Sequence, residues 1–502
     1  DGIRDLVRSR GLGDVYKRQS LLRSYPEART REAQIVIREQ LLAMADTLES
    51  AGEDVLASHC LERAGMVGYR LAEYDDASRI WERGLALARR SGDKKRVAAL
   101  LNARAVGVSI SGDNEGAVVL QLELIDLRRE LGDIRGEGIS WHNLAFSYFA
   151  LFRYPEAIDA LATALRLHRE AGNQFAIAGS MGTMANALFE VGRTGDALAM
   201  ADSAVARARD IGDPSVLGSA LQGRARQLHY AGRVDDALAD FDEAHRILAD
   251  AGDVRVSSLN DVNWADALVS SGDCDRAGVV IDSARDALAP IGDPPQTVWA
   301  DCVRARVSAR CGDPGKAQGE LVATIERLEA IRDSIPEEVR RADAFRAAGG
   351  AYTDLALLEV ARGNPAQAWA AVESGAARVF RDALDVGKEV VPAETLGRLQ
   401  AELAEIDAIA LQYGVATADR MVACVVTPSE VHALAVEIYP GFRQDVAVAL
   451  QLMASGAADS DCAGVLTRIS GAMLGPVAGL FAGTSGRMVI MPGSLAGFPV
   501  EV

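Results

Sequence analysis

Glycines at a fixed interval set the frame for the whole chain. Gly92, Gly132, Gly172, Gly212, Gly252 and Gly292 fall 40 residues apart, and Gly52 extends the series backwards. A second series, Gly112, Gly192, Gly232, Gly272 and Gly312, runs midway between them, with Phe152 in its one missing slot. Asp follows the first-series glycine at Asp93, Asp133, Asp213, Asp253 and Asp293, and Asn follows at Asn173. Self-similarity at such a period means an array of one supersecondary unit that buries its apolar face against its neighbours. Gly just past a helix end supplies the left-handed residue that stops it, and Asp or Asn next in line caps the following helix. Each period is therefore expected to hold two antiparallel helices of about 15–18 residues joined by short turns.

Two alanine ladders support the pairing. Ala105, Ala145, Ala185, Ala225, Ala265 and Ala305 share a register on the first helix. Ala77, Ala117, Ala157, Ala197, Ala237, Ala277 and Ala317 share another on the second, 12 residues away across the turn. Small residues at both places let the helices approach closely where they cross. A third register, Ala164, Ala204, Ala244 and Ala284, faces the next unit. Leu144, Tyr148, Leu161, Leu188, Phe241 and Ile281 are among the bulky residues between. The pattern resembles the tetratricopeptide repeat, in a variant of 40 residues rather than about 34. The resemblance implies a mostly α fold, an α–α superhelical solenoid. An ordinary bundle would not keep its turns in phase for so long.

Composition narrows the function. Lys plus Arg is 53 and Asp plus Glu is 71, a net charge of −18 in 502 residues. That balance excludes a general nucleic-acid surface, which needs clustered positive charge. No apolar run reaches the length of a membrane-spanning helix, so no membrane partner is expected. The six cysteines make no CxxC pair and are expected to be reduced residues of a cytoplasmic protein. Neither they nor the histidines have metal-ligand spacing, and no cofactor or metal is expected.

Along the chain, residues 1–19 hold no repeat register and carry a basic excess. They resemble the translated adapter tails of gene fragments assembled from environmental reads; a disordered basic arm is the other reading. Residues 20–335 are expected to form the solenoid, with a helix at 20–50 preceding the first full hairpin. The rhythm then breaks: the next turn, at Gly363, comes 51 residues after Gly312. Residues 336–386 are expected to be a helical hairpin of different character. From 395 a helix is expected through LGRLQAELAEIDAIALQYG, then two strands, MVACVVT (421–427) and VHALAVEI (431–438), turning at Pro428 and Ser429. Helices at about 442–454 and 462–481 and a buried strand at Arg487–Met491 complete the expected elements.

Three features of this C-terminal part carry a second resemblance. The hairpin bears Ala368, Trp369, Glu373, Ser374, Ala377, Arg378 and Phe380 in an AW…ES…AR…F pattern. A helix ending in Tyr413 leads to the two strands. The strand and turn MVIMPGSLAGFPVEV match P-D-G-x-L-x-x-L-P-F-E-A-L at Pro492, Gly493, Leu495, Phe498, Pro499 and Glu501, without the Asp and with Val500 where an aromatic is common. Together they resemble the start of a CHAT domain, the caspase-like peptidase domain that commonly follows tetratricopeptide repeats. The resemblance implies that residues 395–502 are the N-terminal portion of an α/β caspase-like domain. The family's catalytic His and Cys lie on later strands, beyond Val502, so no catalytic residue is carried over and the fragment is expected to be inactive. Among residues present, His432 with Cys424 or Cys462 is the one conceivable dyad, and neither cysteine has the surroundings of an activated thiolate.

A solenoid of helix pairs curves, and its first helices line the concave side. The side chains three before and one after each first-helix alanine should point there: Asn102, His142 and Phe146, Asn186, Gln222 and Arg226, Asp266, and Arg306. One turn later come His229, Tyr230 and Arg310. Amide, cationic and aromatic groups in such a row suit an extended peptide's backbone and carboxylates. The expected groove is Asn102, His142, Asn186, Gln222, Arg226, His229, Tyr230, Arg306 and Arg310, its partner a protein or peptide. The function expected is the binding scaffold of a bacterial CHAT-type cysteine peptidase. The alternative is a non-enzymatic tetratricopeptide adaptor or peptide-sensing regulator.

Overall fold

The structure, a computed structural model, describes residues 31–71, 73–110, 113–151, 153–290, 294–333, 341–384, 392–414, 420–439, 459–481 and 487–490, with 442, 445, 446 and 449. The readings made for residues 1–19, for Gly112, Phe152, Gly292 and Asp293, for most of the 442–454 helix, for the side chains of Ala377, Arg378, Phe380 and Cys462, and for the PGSLAGFP stretch lie outside that set. The chain divides into two compact units, residues 1–176 and 177–502.

The first unit contains α1 (Arg31–Ser50), α2 (Asp54–Arg70), α3 (Tyr74–Ser91), α4 (Lys94–Ile110), α5 (Asn114–Glu130), α6 (Ile134–Ala150) and α7 (Tyr154–Glu170). Helix α8 (Gln174–Glu190) begins at its end and belongs mostly to the second unit, which continues with α9 (Thr194–Ile211), α10 (Pro214–Tyr230), α11 (Val234–Ala251), α12 (Val254–Ser271), α13 (Cys274–Leu288), α14 (Pro294–Cys311) and α15 (Pro314–Asp333). Consecutive helices pack on one another from α1 to α7 in the first unit and from α9 to α15 in the second, and alternate ones touch too: α2 on α4, α10 on α12, α12 on α14. That is a repeat stack rather than a bundle.

The turns form as the spacing requires. Gly52, Gly92, Gly132, Gly172, Gly192, Gly212, Gly232, Gly252 and Gly272 all sit at φ between 65° and 83°, the left-handed region that stops a helix at little cost only for glycine. The residue after the turn then caps the next helix. Arg96 N–H donates to Asp93 at 3.0 Å, Gly136 N–H to Asp133 at 2.9 Å, Ala176 N–H to Asn173 at 3.2 Å and Val216 N–H to Asp213 at 3.0 Å. Every alanine of the two ladders is 0% exposed, so both registers lie at helix crossings.

Two expectations need correction. Cys274 and Cys311 are not reduced: they form a disulfide, with Cα atoms 5.6 Å apart. Cys274 opens α13 and Cys311 closes α14, and antiparallel packing brings those two ends together, which no linear spacing of cysteines discloses. Second, the helix expected to run to Tyr413 stops earlier. Helix α18 (Pro392–Ile406) is followed by Asp407 at φ 52°, and Ala408–Gly414 is a strand, β1, buried along its whole length. A short apolar run suits a buried strand as well as a helix, and burial on two faces decides between them.

Helices α16 (Arg341–Ala361) and α17 (Pro365–Leu384) form the expected hairpin about Gly363. Helix α16 packs on α14 and α15 as another first helix would, and also on the sheet that follows. That sheet joins β1, β2 (Arg420–Val426), β3 (Val431–Glu437) and β4 (Arg487–Ile490) in the order β3-β2-β1-β4. The pairs β1–β2 and β2–β3 are antiparallel and β1–β4 is parallel. On one face Ala408, Ala410, Val422, Cys424 and Val426 meet Trp369 and Val372 of α17, Ala356 of α16 and Leu403 of α18. On the other, Ile409, Leu411, Tyr413, Ala423 and Val425 meet Ile469 of α19 (Asp459–Leu474) and Val477 of the 3-10 turn after it. Helices on both faces of a mixed sheet make the C-terminal part α/β.

Candidate functional site

Of the residues expected to line a groove, Asn102 and His142 lie in the first unit, on α4 and α6. Both are half-buried. His142 sits beside Phe146, ring centroids 6.2 Å apart, and Phe146 is 57% exposed. Loss of hydration, with His168 adding to it, pushes the His142 imidazole down to about 4.

The other seven lie in the second unit, and α10 carries the centre of the row. Asp213 caps it and Pro214 occupies its first turn, where a missing N–H costs nothing. Gly218 has no side chain because Leu248 of α11 fills the space: a Cβ there would lie 2.4 Å from the Leu248 Cγ. With that stripe held against α11, Gln222, Arg226 and Tyr230 follow one another at intervals of four along another stripe. Arg226 donates to Asn186 Oδ1 of α8 at 2.9 Å, and Gln227 donates to the same oxygen at 3.1 Å. His229 bonds the Ser270 hydroxyl of α12 at 3.0 Å and stacks on Tyr230 with ring centroids 5.4 Å apart. Phe189 of α8 lies 6.5 Å from the Tyr230 ring.

On α14 the row changes character. Arg306 is nearly buried, 11% exposed, and donates to Asp266 of α12 at 2.8 Å and to Asp354 of α16 at 2.7 Å. Its guanidinium also lies 5.0 Å from the centroid of Trp299. Burial pushes the Asp354 carboxyl up to about 6 against the pull of Arg306. Asn186, Arg226, Asp266 and Arg306 thus form a ladder with a 40-residue rung spacing, alternately amide, cation, anion and cation. Arg226 faces a neutral amide, and among the described residues it makes no ion pair. Arg310 lines the same surface one turn beyond Arg306.

Sequence reasoning missed Asp354 and Arg420. Asp354 falls 48 residues after Arg306, out of phase with the ladder, and Arg420 opens a strand. No periodic signal connects either to the array.

Of the cysteine chemistry considered from sequence, the pairing of His432 with Cys424 has no geometric support. His432 pairs across the ladder with Val425 and Cys424 with Ala433, so the imidazole and the thiol stand on opposite faces of the sheet. Burial pushes the Cys424 thiol up to about 12 and the Cys302 thiol likewise. Among the described residues no group of His, Cys, Asp and Glu is arranged to hold a metal ion, and no helix is long and apolar enough to cross a membrane.

Comparison with known proteins agrees with the array. The tetratricopeptide repeat family matches residues 137–210. No curated protein matches the chain in sequence. Among solved structures, the chain is similar to the Rap conjugation gene regulator of the plasmid pLS20 in complex with the Phr* peptide, at a TM-score of 0.50 and 11% identity over 70% of this chain and 96% of that one. Aspartyl phosphate phosphatase F from Bacillus subtilis gives a TM-score of 0.49 at 12% identity, over 71% and 89% of the two chains. The apo form of the quorum sensor NprR from B. thuringiensis gives 0.45 at 12% identity, over 68% and 97%. At such identities the first likeness concerns the fold alone. The matched segment shows tetratricopeptide repeats at residues 137–210, and the glycine period runs on to either side of it.

Proposed function

We propose that the second unit captures an extended peptide or protein segment along α8, α10, α12 and α14, with a ligand carboxylate on Arg226. The observation that carries this reading is the contrast along the ladder. Arg306 is neutralised by two carboxylates, whereas Arg226, half-buried, faces only the amide of Asn186. A guanidinium with unspent charge in a partly desolvated row is a strong receptor for a carboxylate, and the amides of Asn186 and Gln222 suit a peptide backbone. Tyr230, half-buried and backed by the buried Phe189, supplies apolar area beside it. The fold itself can take such a ligand, since the pLS20 regulator was solved with a peptide.

The test is selection of a randomised phage-displayed peptide library on the immobilised full chain. Enrichment of peptides with a shared acidic position is expected, and a selected peptide should bind Arg226→Gln at least tenfold more weakly, about 1.4 kcal/mol. Selected peptides that bind the variant as well as the parent would remove Arg226 from the site.

A second reading, that this binding scaffold belongs to a CHAT-type cysteine peptidase, is supported by the mixed sheet with helices on both faces that follows the array. It requires a His and a later Cys on further strands of the same gene product. Codons after Val502 that encode neither would end it.

A further inference from the structure

Two turns on one edge of the second unit are joined by a covalent bond. Cys274 is the first residue of α13, just after the turn at Gly272, and Cys311 is the last residue of α14, just before the turn at Gly312. Those turns stand one repeat apart, so the disulfide staples consecutive repeats along that edge. Cys311 is exposed and Cys274 half-buried. The other described cysteines, Cys60, Cys302 and Cys424, are at most 3% exposed. Burial pushes the Cys302 and Cys424 thiols up to about 12, where almost no thiolate forms at neutral pH. Among the described cysteines, a thiol reagent in solution therefore meets the stapled pair first.

We propose that the Cys274–Cys311 bond is a thiol–disulfide exchange site for a small thiol of the glutathione class, attacked at Cys311. In the first step the incoming thiolate bonds to Cys311 Sγ and the bond to Cys274 breaks. Cys274 leaves with the electron pair as a thiolate, which takes a proton from water. In the second step another small thiolate attacks the small-thiol sulfur of the adduct and releases Cys311. Two small thiols are thus oxidised to their disulfide as the two protein thiols are formed. Access sets the direction, because Cys311 is the more open of the two. The leaving group reinforces it: a sulfur of lower pKa leaves faster, and Cys274 sits at the positive end of the α13 dipole whereas Cys311 sits at the negative end of α14. Asp273 and Asp275 oppose a Cys274 thiolate, but Asp275 is exposed, and Asp273 accepts from the Arg276 N–H at 3.3 Å and faces its guanidinium at 3.7 Å. Helix α14 also carries Arg306, which ties Asp266 to Asp354, so opening the staple removes one of two constraints on that helix.

Incubation of the folded full chain with reduced glutathione, trapping with N-ethylmaleimide and peptide mass spectrometry test the site and its direction. In the first product, glutathione should sit on Cys311 and the maleimide on Cys274 about tenfold more often than the reverse. Cys60, Cys302 and Cys424 should stay unmodified. A bond that glutathione opens only in denaturant overturns the proposal, as does maleimide labelling of both cysteines before any thiol is added. Modification of the three buried cysteines at a similar rate overturns it too, since the bond would then open only through unfolding. An adduct mainly on Cys274, or equally on both, removes the assigned direction and with it the proposal. In Cys274→Ser, oxidised glutathione should leave a lasting adduct on Cys311, because no neighbouring thiol displaces it. Amide exchange supplies a readout on the parent chain: reduction should speed it at the start of α13 and the end of α14 and leave α10 unchanged. Unchanged exchange at those two ends would show that the bond does not act as a staple.

Discussion

A half-buried imidazole beside a second one makes His142 a group whose charge the fold resists. Its folded value near 4 lies below the ordinary 6.5, and burial shifts His168 and His59 of the same unit downwards too. A depressed histidine leaves the native state with fewer bound protons than the unfolded chain. Its contribution is therefore present above about pH 6.5 and is lost as the pH falls towards 4. By pH 5 the loss from His142 alone is of order 2 kcal/mol. Amide exchange of α6 should accelerate between pH 7 and pH 5 beyond its intrinsic pH dependence, and His142→Gln should remove much of that acceleration. An unchanged profile in the variant would show that the imidazole is not desolvated. The same unit has a steric counterpart in Gly65, where a Cβ would lie 2.3 Å from the Trp81 Nε1, so the largest side chain of that core needs the smallest one opposite.

At the scale of the element, each helix is set by a local device, glycine at its end and Asp or Asn at the next start, and by an alanine at its crossing. Helices α13 and α14 carry a further constraint, the Cys274–Cys311 disulfide, which closes a loop with a sequence separation of 37. Restricting a loop of that size in the unfolded chain stabilises the fold by about 2–4 kcal/mol. Replacing both cysteines by serine is expected to lower the unfolding midpoint of the second unit by several degrees. Mass spectrometry after alkylation should find Cys274 and Cys311 blocked until a reductant is added. Labelling of both under non-reducing, unfolding conditions would show that the bond is absent. Strand β1 teaches the converse lesson: AIALQYG has no alternation, since both of its faces are covered, and its register with β2 and β4 depends on elements up to about 80 residues away.

Within the second unit of the molecule, the repeat array and the α/β part are joined by more than chain continuity. Arg306 ties Asp266 of the array to Asp354 of α16, and α16 packs on the sheet. Removing one partner of a buried ion pair costs about 3–5 kcal/mol, because the others stay buried without compensation. Arg306→Gln should therefore lower amide protection in α14 and α16 more than in α10. The triple change Arg306→Met, Asp266→Leu, Asp354→Leu should recover much of it. Equal loss of protection throughout the unit would mean that the ion group does not act as a joint. For this reason Arg306, though in the expected row, is a poor choice for probing ligand capture.

The period, the helix ends, the alanine crossings and the row of residues on α8, α10, α12 and α14 could be read from the linear chain, because in a repeat stack contacts recur at a constant offset. Asn186 meets Arg226 and Asp266 meets Arg306 at that offset. Contacts that leave the period are decided by the tertiary structure alone. Cys274 finds Cys311, Asp354 finds Arg306, and Arg420 joins a cavity built by α12, α14 and α16. Whether an arginine is spent on a buried carboxylate or kept for a ligand depends on what packs opposite it. That information lies in the approach of distant elements, where the array stops repeating.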